Sequence, residues 1–135
     1  MQRMARLMGC PDFTTLSNQQ VIAFAIDHAK DFERALSPDD FEQCVFEKRH
    51  YGFAVIQSME GRRSPHLLLL YINVDSRDDK LGSRLLREVK AKYAEKYPMT
   101  LTCYGTGRGA FFGRVGFRIQ STDHETGVRT MIMKG

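Results

Sequence analysis

The stretch NVDSRDDKLGSRLLREVKAKY, residues 73–93, decides how this 135-residue chain is interpreted. It leaves a near-continuous apolar run, HLLLLYINV at 66–74, crosses a charged loop that contains one glycine, and enters a basic helix. An apolar run of this kind is typical of a central strand that is buried on both faces. The stretch is therefore either a packing join between a strand and a helix or a cradle for phosphate.

The residues after the loop have the spacing of an amphipathic helix. An apolar stripe recurs at helical intervals, basic side chains lie off that stripe, and Pro98 follows its last member. Because the first backbone N–H groups of a helix have no partner within it, the start of this helix can attract an anion. The stripe consists of Leu81, Leu85, Leu86, Val89, Tyr93 and Tyr97.

The side chains at the helix start are compatible with both interpretations of the loop. Gly82 has no side chain to block a close approach, and Ser83 can add a hydroxyl. Asp78 and Asp79 count against an anion. Many strand-to-helix joins contain one glycine and exposed charges with no ligand, so spacing alone leaves the choice open. Positive charge near the helix start comes from Arg77, Lys80 and Arg84.

The remaining patterns predict a mixed α/β (α+β) fold and a single domain over residues 1–135. Ser17 and Gln20 have the spacing of a capping box at the start of a first helix. Ser37 and Pro38 predict a second, short helix. The other predicted elements are strands at 44–49, 52–59, 66–74 and 99–105, a short helix at 107–116, and a terminal hairpin of 117–121 and 128–133.

Composition limits the class of ligand and the compartment. The net charge of +4 and the pI near 9.1 suit an anionic ligand but are too small to establish nucleic-acid binding. The three cysteines form no CxxC pair, so we expect a reduced, cytoplasmic chain with neither zinc nor disulfides. The opening residues lack a signal-peptide core, and the apolar run at 67–72 is too short to span a bilayer.

Two motifs resemble those of the GCN5-related N-acetyltransferase (GNAT) superfamily. The acetyl-CoA loop of that family carries Arg or Gln, two residues, Gly, one residue, then Gly or Ala. Arg77, Lys80 and Gly82 occupy these positions, so Lys80 replaces the first glycine. The order of predicted strands is also similar to the family from residue 44 onward. The second family motif is Phe-Tyr, three residues, then Gly-Phe, and it resembles Phe111, Phe112, Gly116 and Phe117 here.

The resemblance implies a mixed, mostly antiparallel central sheet flanked by helices. Its two central strands, near 67–74 and 99–105, would splay apart and hold acetyl-CoA between them. The pantetheine arm would run along the end of the first strand, and the pyrophosphate would lie on the loop, where Lys80 would add an ammonium. The implied cofactor-binding residues are Ile72, Asn73, Val74, Arg77, Asp78, Asp79, Lys80, Leu81, Gly82, Ser83 and Phe112.

Acetyl transfer to an amine requires a base, a stabilised oxyanion and a proton for the departing thiolate. The family's proton-donating tyrosine is replaced by Phe112, so Tyr104 is the predicted substitute, with a place at the edge of the core as its alternative role. Some relatives carry a carboxylate six residues before the position of Ile72, which is His66 here. His66 is either a base or a solvated residue at a strand start, and Glu47 is a further candidate base.

The resemblance therefore implies acetyl-CoA-dependent N-acetylation of a primary amine on an unidentified small molecule or peptide. The alternative is a protein of the same fold that binds CoA or a protein partner without turnover, because Phe112 cannot donate a proton. Replacing Gly82 by aspartate is expected to abolish cofactor binding without unfolding the domain. Many relatives are dimers, but no stripe in the sequence identifies an interface, so a homodimer stays an open alternative.

Two other patterns point to different functions and are not favoured. The G-x-G-x-x-A spacing at 105–110 follows a predicted strand, but the 25 residues after it are too few to complete a dinucleotide-binding fold. The basic face of the helix could touch nucleic acid, yet Glu88 and Glu95 interrupt it and no aromatic residues interleave it.

Overall fold

The computed structural model describes residues 11–32, 34–57, 65–73, 80–93, 97–103 and 111–133. Three short 3-10 helical segments lie in the N-terminal third of the described chain, at Phe13–Thr15, Ala29–Phe32 and Pro38–Phe41. The α-helices and strands, in chain order, are helix α1 (Asn18–Asp27), strands β1 (Cys44–Arg49), β2 (Gly52–Gln57) and β3 (His66–Ile72), helix α2 (Leu81–Tyr93), strand β4 (Met99–Cys103), helix α3 (111–114), and strands β5 (Arg118–Thr122) and β6 (Arg129–Met133).

The two N-terminal helical segments begin where the sequence predicts. Ser17 Oγ accepts the backbone N–H of Gln20 at 3.1 Å, and the Gln20 side chain accepts that of Ser17 at 2.8 Å, which completes the capping box of α1. The second segment is a short 3-10 helix. It ends early because Gln43, with a φ of 58°, turns the chain into β1.

The strands form one sheet in the order β1-β2-β3-β4-β6-β5. The β3–β4 pair is parallel, and the other pairings between the described strands are antiparallel. Because α2 connects β3 to β4, these three elements form the predicted strand–helix–strand crossover. The mixed, mostly antiparallel sheet that the resemblance to the GNAT superfamily implies is therefore confirmed.

Each face of the sheet is covered by its own apolar core. On the face that we call the α2 face, side chains of β3 and β4 pack with α2 and α3, and Leu85 and Met99 are fully buried. On the opposite face, which we call the α1 face, α1 and the short 3-10 segments cover β2 and β3, and Phe13 and Phe53 are fully buried. The sheet is thus buried on both faces at its centre, as the apolar run of β3 predicts.

The apolar stripe of α2 packs onto the sheet with one exception. Leu85, Leu86 and Val89 are at most 1% exposed. Tyr97, which the sequence pattern assigns to the same stripe, follows the described end of α2 at Tyr93 and is 40% exposed. The assignment of Tyr97 to the stripe is therefore wrong, because a residue that precedes proline is disfavoured in helical conformation.

Candidate active site

A cleft opens between β3 and β4 in the middle of the sheet. In the described part of the chain, these strands pair at His66 with Thr100 and at Leu67 with Leu101, and the ladder does not continue beyond those pairs. The predicted divergence of the two central strands is therefore confirmed. The described residues that line the cleft are Phe32, Arg34, Leu67, Leu68, Leu69, Leu70, Leu101, Thr102, Cys103 and Phe112.

This cleft is bordered by side chains from both faces of the sheet. Successive residues of β4 point in opposite directions, so Cys103 lies in the core of the α2 face and Thr102 points towards the α1 face. Phe112 borders the cleft on the α2 face. Phe32 and Arg34, which follow α1, border it on the opposite side. Side chains of both faces of the sheet therefore border the same cleft.

His66, a predicted base, lies at the closed end of the cleft. Its Nδ1 is 2.9 Å from Oγ1 of Thr100. Thr100 alternates along β4 with Leu101, whose side chain belongs to the α2 face, so the half-buried ring of His66 is held on the α1 face. This is the face on which Phe32 and Arg34 border the cleft.

Glu47, the second predicted base, lies on the α2 face and away from the described lining of the cleft. It is 8% exposed and accepts hydrogen bonds from Lys92 Nζ at 2.8 Å, from the Tyr93 hydroxyl and from Arg49 at 3.4 Å. Burial acts to raise the pKa of Glu47, but these hydrogen bonds outweigh it and hold the pKa below its ordinary value. The residue is thus an ion that fastens β1 to the end of α2.

Lys80 occupies the position of the first glycine in the family loop, and its backbone shows why glycine suits that position. Its φ is 61°, in the left-handed region that glycine adopts at little cost. Its carbonyl accepts the backbone N–H of Arg84 at 3.2 Å, so Lys80 directly caps α2. A left-handed residue followed by a helical one directs successive N–H groups to one side, an arrangement that binds anions.

A shallow depression at the start of α2 collects positive charge. It is lined by Lys80, Leu81, Arg84, Arg87 and Glu88. Three of these residues are cations, and the single carboxylate among them, Glu88, is ion-paired with Arg84 at 3.5 Å and with Arg49 at 3.1 Å. The described part of the predicted phosphate cradle is therefore basic at its surface.

Gly82 lies in a close packing contact inside the protein. A Cβ built on Gly82 would lie 3.2 Å from Cζ of Phe111 and 3.5 Å from Cγ1 of Ile72. The missing side chain thus lets α2 approach α3 and the end of β3 closely, whereas the sequence interpretation assigned that space to a ligand. Ser83, the next residue, is only half-buried in the first turn of α2.

Phe112, at the position of the family's tyrosine, is buried in the core of the α2 face. It is 6% exposed, and its ring meets those of Phe111 and Phe117 edge-on, with centroids 5.3 and 5.8 Å apart. It lines the cleft as an apolar surface and carries no proton donor.

Asn73, at the end of β3, has a buried oxygen that lacks a donor. The residue is 6% exposed, its backbone N–H donates to Tyr51 at 2.8 Å, and its Nδ2 donates to the Pro11 carbonyl at 3.2 Å. Its Oδ1 accepts no hydrogen bond in the described structure. An unsatisfied buried carbonyl costs about 1–3 kcal/mol, so this atom suits a ligand N–H group.

Several predicted site residues lie outside the described residues. These are Val74, Arg77, Asp78, Asp79 and Tyr104. Among the residues that the structure does describe, no cluster of side chains is suited to a metal ion. Within the same ranges, none of the helices has the length and apolarity needed to cross a membrane.

Sequence reasoning missed Phe32 and Arg34 as cleft residues. They follow α1 in a segment with no recognisable motif, and Leu67, the first lining residue of β3, comes 33 positions after Arg34. Only the packing of the α1 segment across the sheet brings them to the cleft. The one available signal was their position shortly after the first predicted helix.

Several solved structures with the same architecture are acetyltransferases. The PaiA N-acetyltransferase from Thermoplasma acidophilum, in complex with coenzyme A, superposes with a TM-score of 0.59 at 17% identity, over 90% of this chain and 82% of its own. The chain has the GNAT fold. The ribosomal-protein-S18-alanine N-acetyltransferase from Escherichia coli gives 0.61 at 14% identity, over 87% of this chain and 89% of its own.

A third structure is assigned to the GNAT family by its description. This acetyltransferase from Desulfovibrio desulfuricans gives a TM-score of 0.61 at 14% identity, over 87% of this chain and 91% of its own. No protein-family model matches the sequence, and no curated protein matches it. At these identities the likeness establishes the GNAT fold and leaves function to be argued from the site.

Proposed function

We propose that this protein is an acetyl-CoA-dependent N-acetyltransferase that acts on a primary amine. The observation that supports this most strongly is the cleft between β3 and β4, which is bordered from both faces of the sheet. Such a cleft lets a thioester and an amine meet from opposite faces while apolar side chains around them limit water. Two of the structures with this fold are N-acetyltransferases, and one of them holds coenzyme A.

The described residues fit the phosphates and the pantetheine arm of the cofactor. The left-handed Lys80 at the start of α2, with Arg84 and Arg87 beside it, offers N–H groups and positive charge to the pyrophosphate. The buried Oδ1 of Asn73 suits an amide N–H of the arm. Ile72, Leu81 and Ser83 complete the proposed contacts in the described chain, and Val74, Arg77, Asp78 and Asp79 remain proposals from the motif.

When bound, acetyl-CoA supplies a thioester carbonyl as the acetyl donor. An amine that enters from the α1 face attacks this carbonyl, so that a C–N bond forms and the C–S bond breaks. His66 is the proposed base, because it lies on that face at the closed end of the cleft and imidazole titrates near neutral pH. Glu47 is the less favoured base, since its hydrogen bonds stabilise its charged form and place it on the other face.

The thiolate that leaves requires a proton from a group other than Phe112. Tyr104 is the proposed donor, because it directly follows Cys103, which lines the cleft. Phe112 is proposed to contribute apolar surface beside the thioester.

Calorimetric titration with acetyl-CoA and with CoA tests the cofactor half of this proposal. We expect a Kd on the order of micromolar for both, and a loss of about tenfold in the charge-reversed variant Lys80→Glu. Lys30→Glu, which reverses the charge of an exposed lysine just after α1, is the matched control and should bind both ligands with normal affinity. Absence of binding to either ligand by the folded wild-type protein would overturn the proposal.

Thiol release from acetyl-CoA in the presence of amines tests turnover. His66→Gln should lower kcat/KM by about 10²-fold or more. His124→Gln, in the exposed hairpin turn, controls for the loss of a histidine elsewhere. Tyr104→Phe should lower kcat, and unchanged kinetics in that variant would show that another group protonates the thiolate.

One observation favours a second function, which is CoA binding without turnover. The ring of Phe112 fills the position at which many relatives carry the acid, and it is buried beside the cleft. Micromolar CoA binding with no thiol release above the rate in buffer, for any amine, would support this alternative.

A further inference from the structure

We propose that Glu88 is an internal competitor for the cations that are proposed to bind the phosphates of CoA, and that Arg49 is the positioning residue that restrains Glu88. This inference rests on the proposed function, because it concerns the control of the same cofactor site. Neither residue takes part in the proton transfers. Arg49 acts through Glu88, and Glu88 acts on the cations at the start of α2.

Glu88 lies among these cations. It follows Arg84 by one helical turn on α2 and lines the same depression as Lys80, Arg84 and Arg87. Its Oε2 is 3.5 Å from Nε of Arg84. The Arg84 side chain is 65% exposed, and an ion pair of this length at the surface is weak. A phosphate can therefore replace Glu88 on Arg84, although the charge of Glu88 still opposes the binding of an anion.

Arg49, the last residue of β1, holds the other oxygen of this carboxylate. Its Nε and Nη2 donate to Oε1 of Glu88 at 3.2 and 3.1 Å. Arg49 is itself held, because its Nη1 donates to the Lys48 carbonyl at 3.1 Å and lies 3.4 Å from Oε1 of Glu47. Two donors at these shorter distances make Arg49 a stronger partner of Glu88 than Arg84 is.

The four side chains form a row of alternating charge. Glu47 pairs with Arg49, Arg49 with Glu88, and Glu88 with Arg84. In this row Arg49 offsets the charge of Glu88 and keeps one oxygen of its carboxylate on β1. Without Arg49, the charge of Glu88 acts on Arg84 and on an approaching phosphate with less compensation, so both effects weaken phosphate binding. Strand β1 thus controls the charge of the site at the start of α2.

Calorimetric titration with CoA of the wild type, Arg49→Gln, Glu88→Gln and the double variant tests this coupling. At about 50 mM NaCl, where screening is modest, we expect Arg49→Gln to weaken CoA binding about three- to tenfold. Glu88→Gln should strengthen binding by a similar factor. The double variant should bind CoA at least as tightly as the wild type, because the loss of Arg49 matters little once the charge of Glu88 is removed.

The double variant separates the positioning role from a structural one. Arg49 also fastens β1 to α2, so a merely structural loss would weaken CoA binding in Arg49→Gln and in the double variant alike. Lys30→Gln, which removes an exposed cation just after α1, controls for the loss of one positive charge. Its affinity for CoA should stay within about twofold of that of the wild type.

The outcomes distinguish the inference from the proposed function. If the wild type binds CoA and Arg49→Gln binds it equally well, the inference is overturned and the acetyltransferase proposal stands. A double variant, or a Lys30→Gln variant, that binds CoA as weakly as Arg49→Gln also overturns the inference. If the folded wild-type protein binds no CoA, the proposed function fails, and the inference fails with it.

Discussion

Lys80 has a left-handed backbone at the start of α2, where an ordinary side chain raises the conformational energy. Its φ of 61° places the residue in the region that costs an L-residue about 1–2 kcal/mol relative to the right-handed region. Glycine avoids that cost and loses more chain entropy on folding. Lysine therefore occupies this position at a cost in backbone energy, which agrees with the proposed role for its ammonium.

Replacing Lys80 by glycine should stabilise the protein. We expect the free energy of unfolding in urea to rise by about 0.5–1 kcal/mol, because the relieved strain exceeds the extra entropy of the unfolded chain. Lys90→Gly, the same substitution inside α2, should lower it by about 1 kcal/mol. A decrease of similar size in both variants would contradict the strain at Lys80.

Glu47 should make stability depend on acid pH. In the folded state the pKa of Glu47 is held below its ordinary value of 4.5. The charged carboxylate therefore stabilises the fold at pH values above 4.5, and this stabilisation is lost as the pH falls through the folded-state pKa. Glu47→Gln should therefore lower the free energy of unfolding by about 1–2 kcal/mol at pH 7 and by progressively less below about pH 4.5.

The matched control for this prediction is Glu42→Gln. Glu42 is an exposed carboxylate just before β1 that lies outside the network of Glu47, Lys92 and Tyr93. Denaturant unfolding of both variants between pH 3 and 7 gives the comparison. Parallel curves for Glu47→Gln and the wild type across that range would show that the network does not set the acid sensitivity.

Among the elements, α2 is fixed by a close contact with α3 at its first turn. Gly82 meets Phe111 and Ile72 so closely that a Cβ there forces the phenylalanine to move. The proposed phosphate site at the start of α2 thus depends on the same glycine that lies in the contact between the two helices. A variant of Gly82 therefore cannot test the ligand separately from the fold.

We expect Gly82→Asp to lower the free energy of unfolding by about 2–4 kcal/mol, because it buries a carboxylate against Phe111. This replaces the expectation that the variant keeps its stability. Ser83→Asp is the sharper test. Its side chain is half-buried in a first turn that favours acidic residues, so the protein should stay folded while CoA affinity falls about tenfold. A stable Gly82→Asp variant would show that α3 can move away.

At the scale of the whole molecule, the sheet has a protected centre and an exposed end. Strands β2 and β3 are covered on both faces, whereas every residue of β5, the last strand at its edge, is exposed. Ile119 in β5 is 54% exposed. Opening of β5 should therefore expose little apolar surface compared with opening of the centre.

Amide hydrogen exchange should report this gradient. We expect the slowest exchange in β2 and β3, close to the rate of global unfolding, and exchange about 10–100-fold faster in β5. The partner strand β6 serves as the internal comparison, because it lies between β4 and β5 and buries Met131 and Met133. Equal protection of β5 and β3 would indicate that another surface covers β5.

The sequence alone determined the elements and their order, because each depends on short-range signals. The capping box at Ser17, the apolar run of β3 and the stripe of α2 are local patterns, and the structure confirms all three. The resemblance of two motifs also predicted the divergence of the central strands. The same resemblance showed that Lys80 occupies the position of the first glycine in the family loop.

Only the tertiary structure decided which side chains meet in the cleft. Strand direction and sheet order put His66 on one face and Glu47 on the other, although both were candidate bases in the sequence. The chain that follows α1 crosses the sheet and brings Arg34 to residues far away in sequence. The packing role of Gly82 likewise depends on Phe111, a contact between two helices that no local pattern encodes.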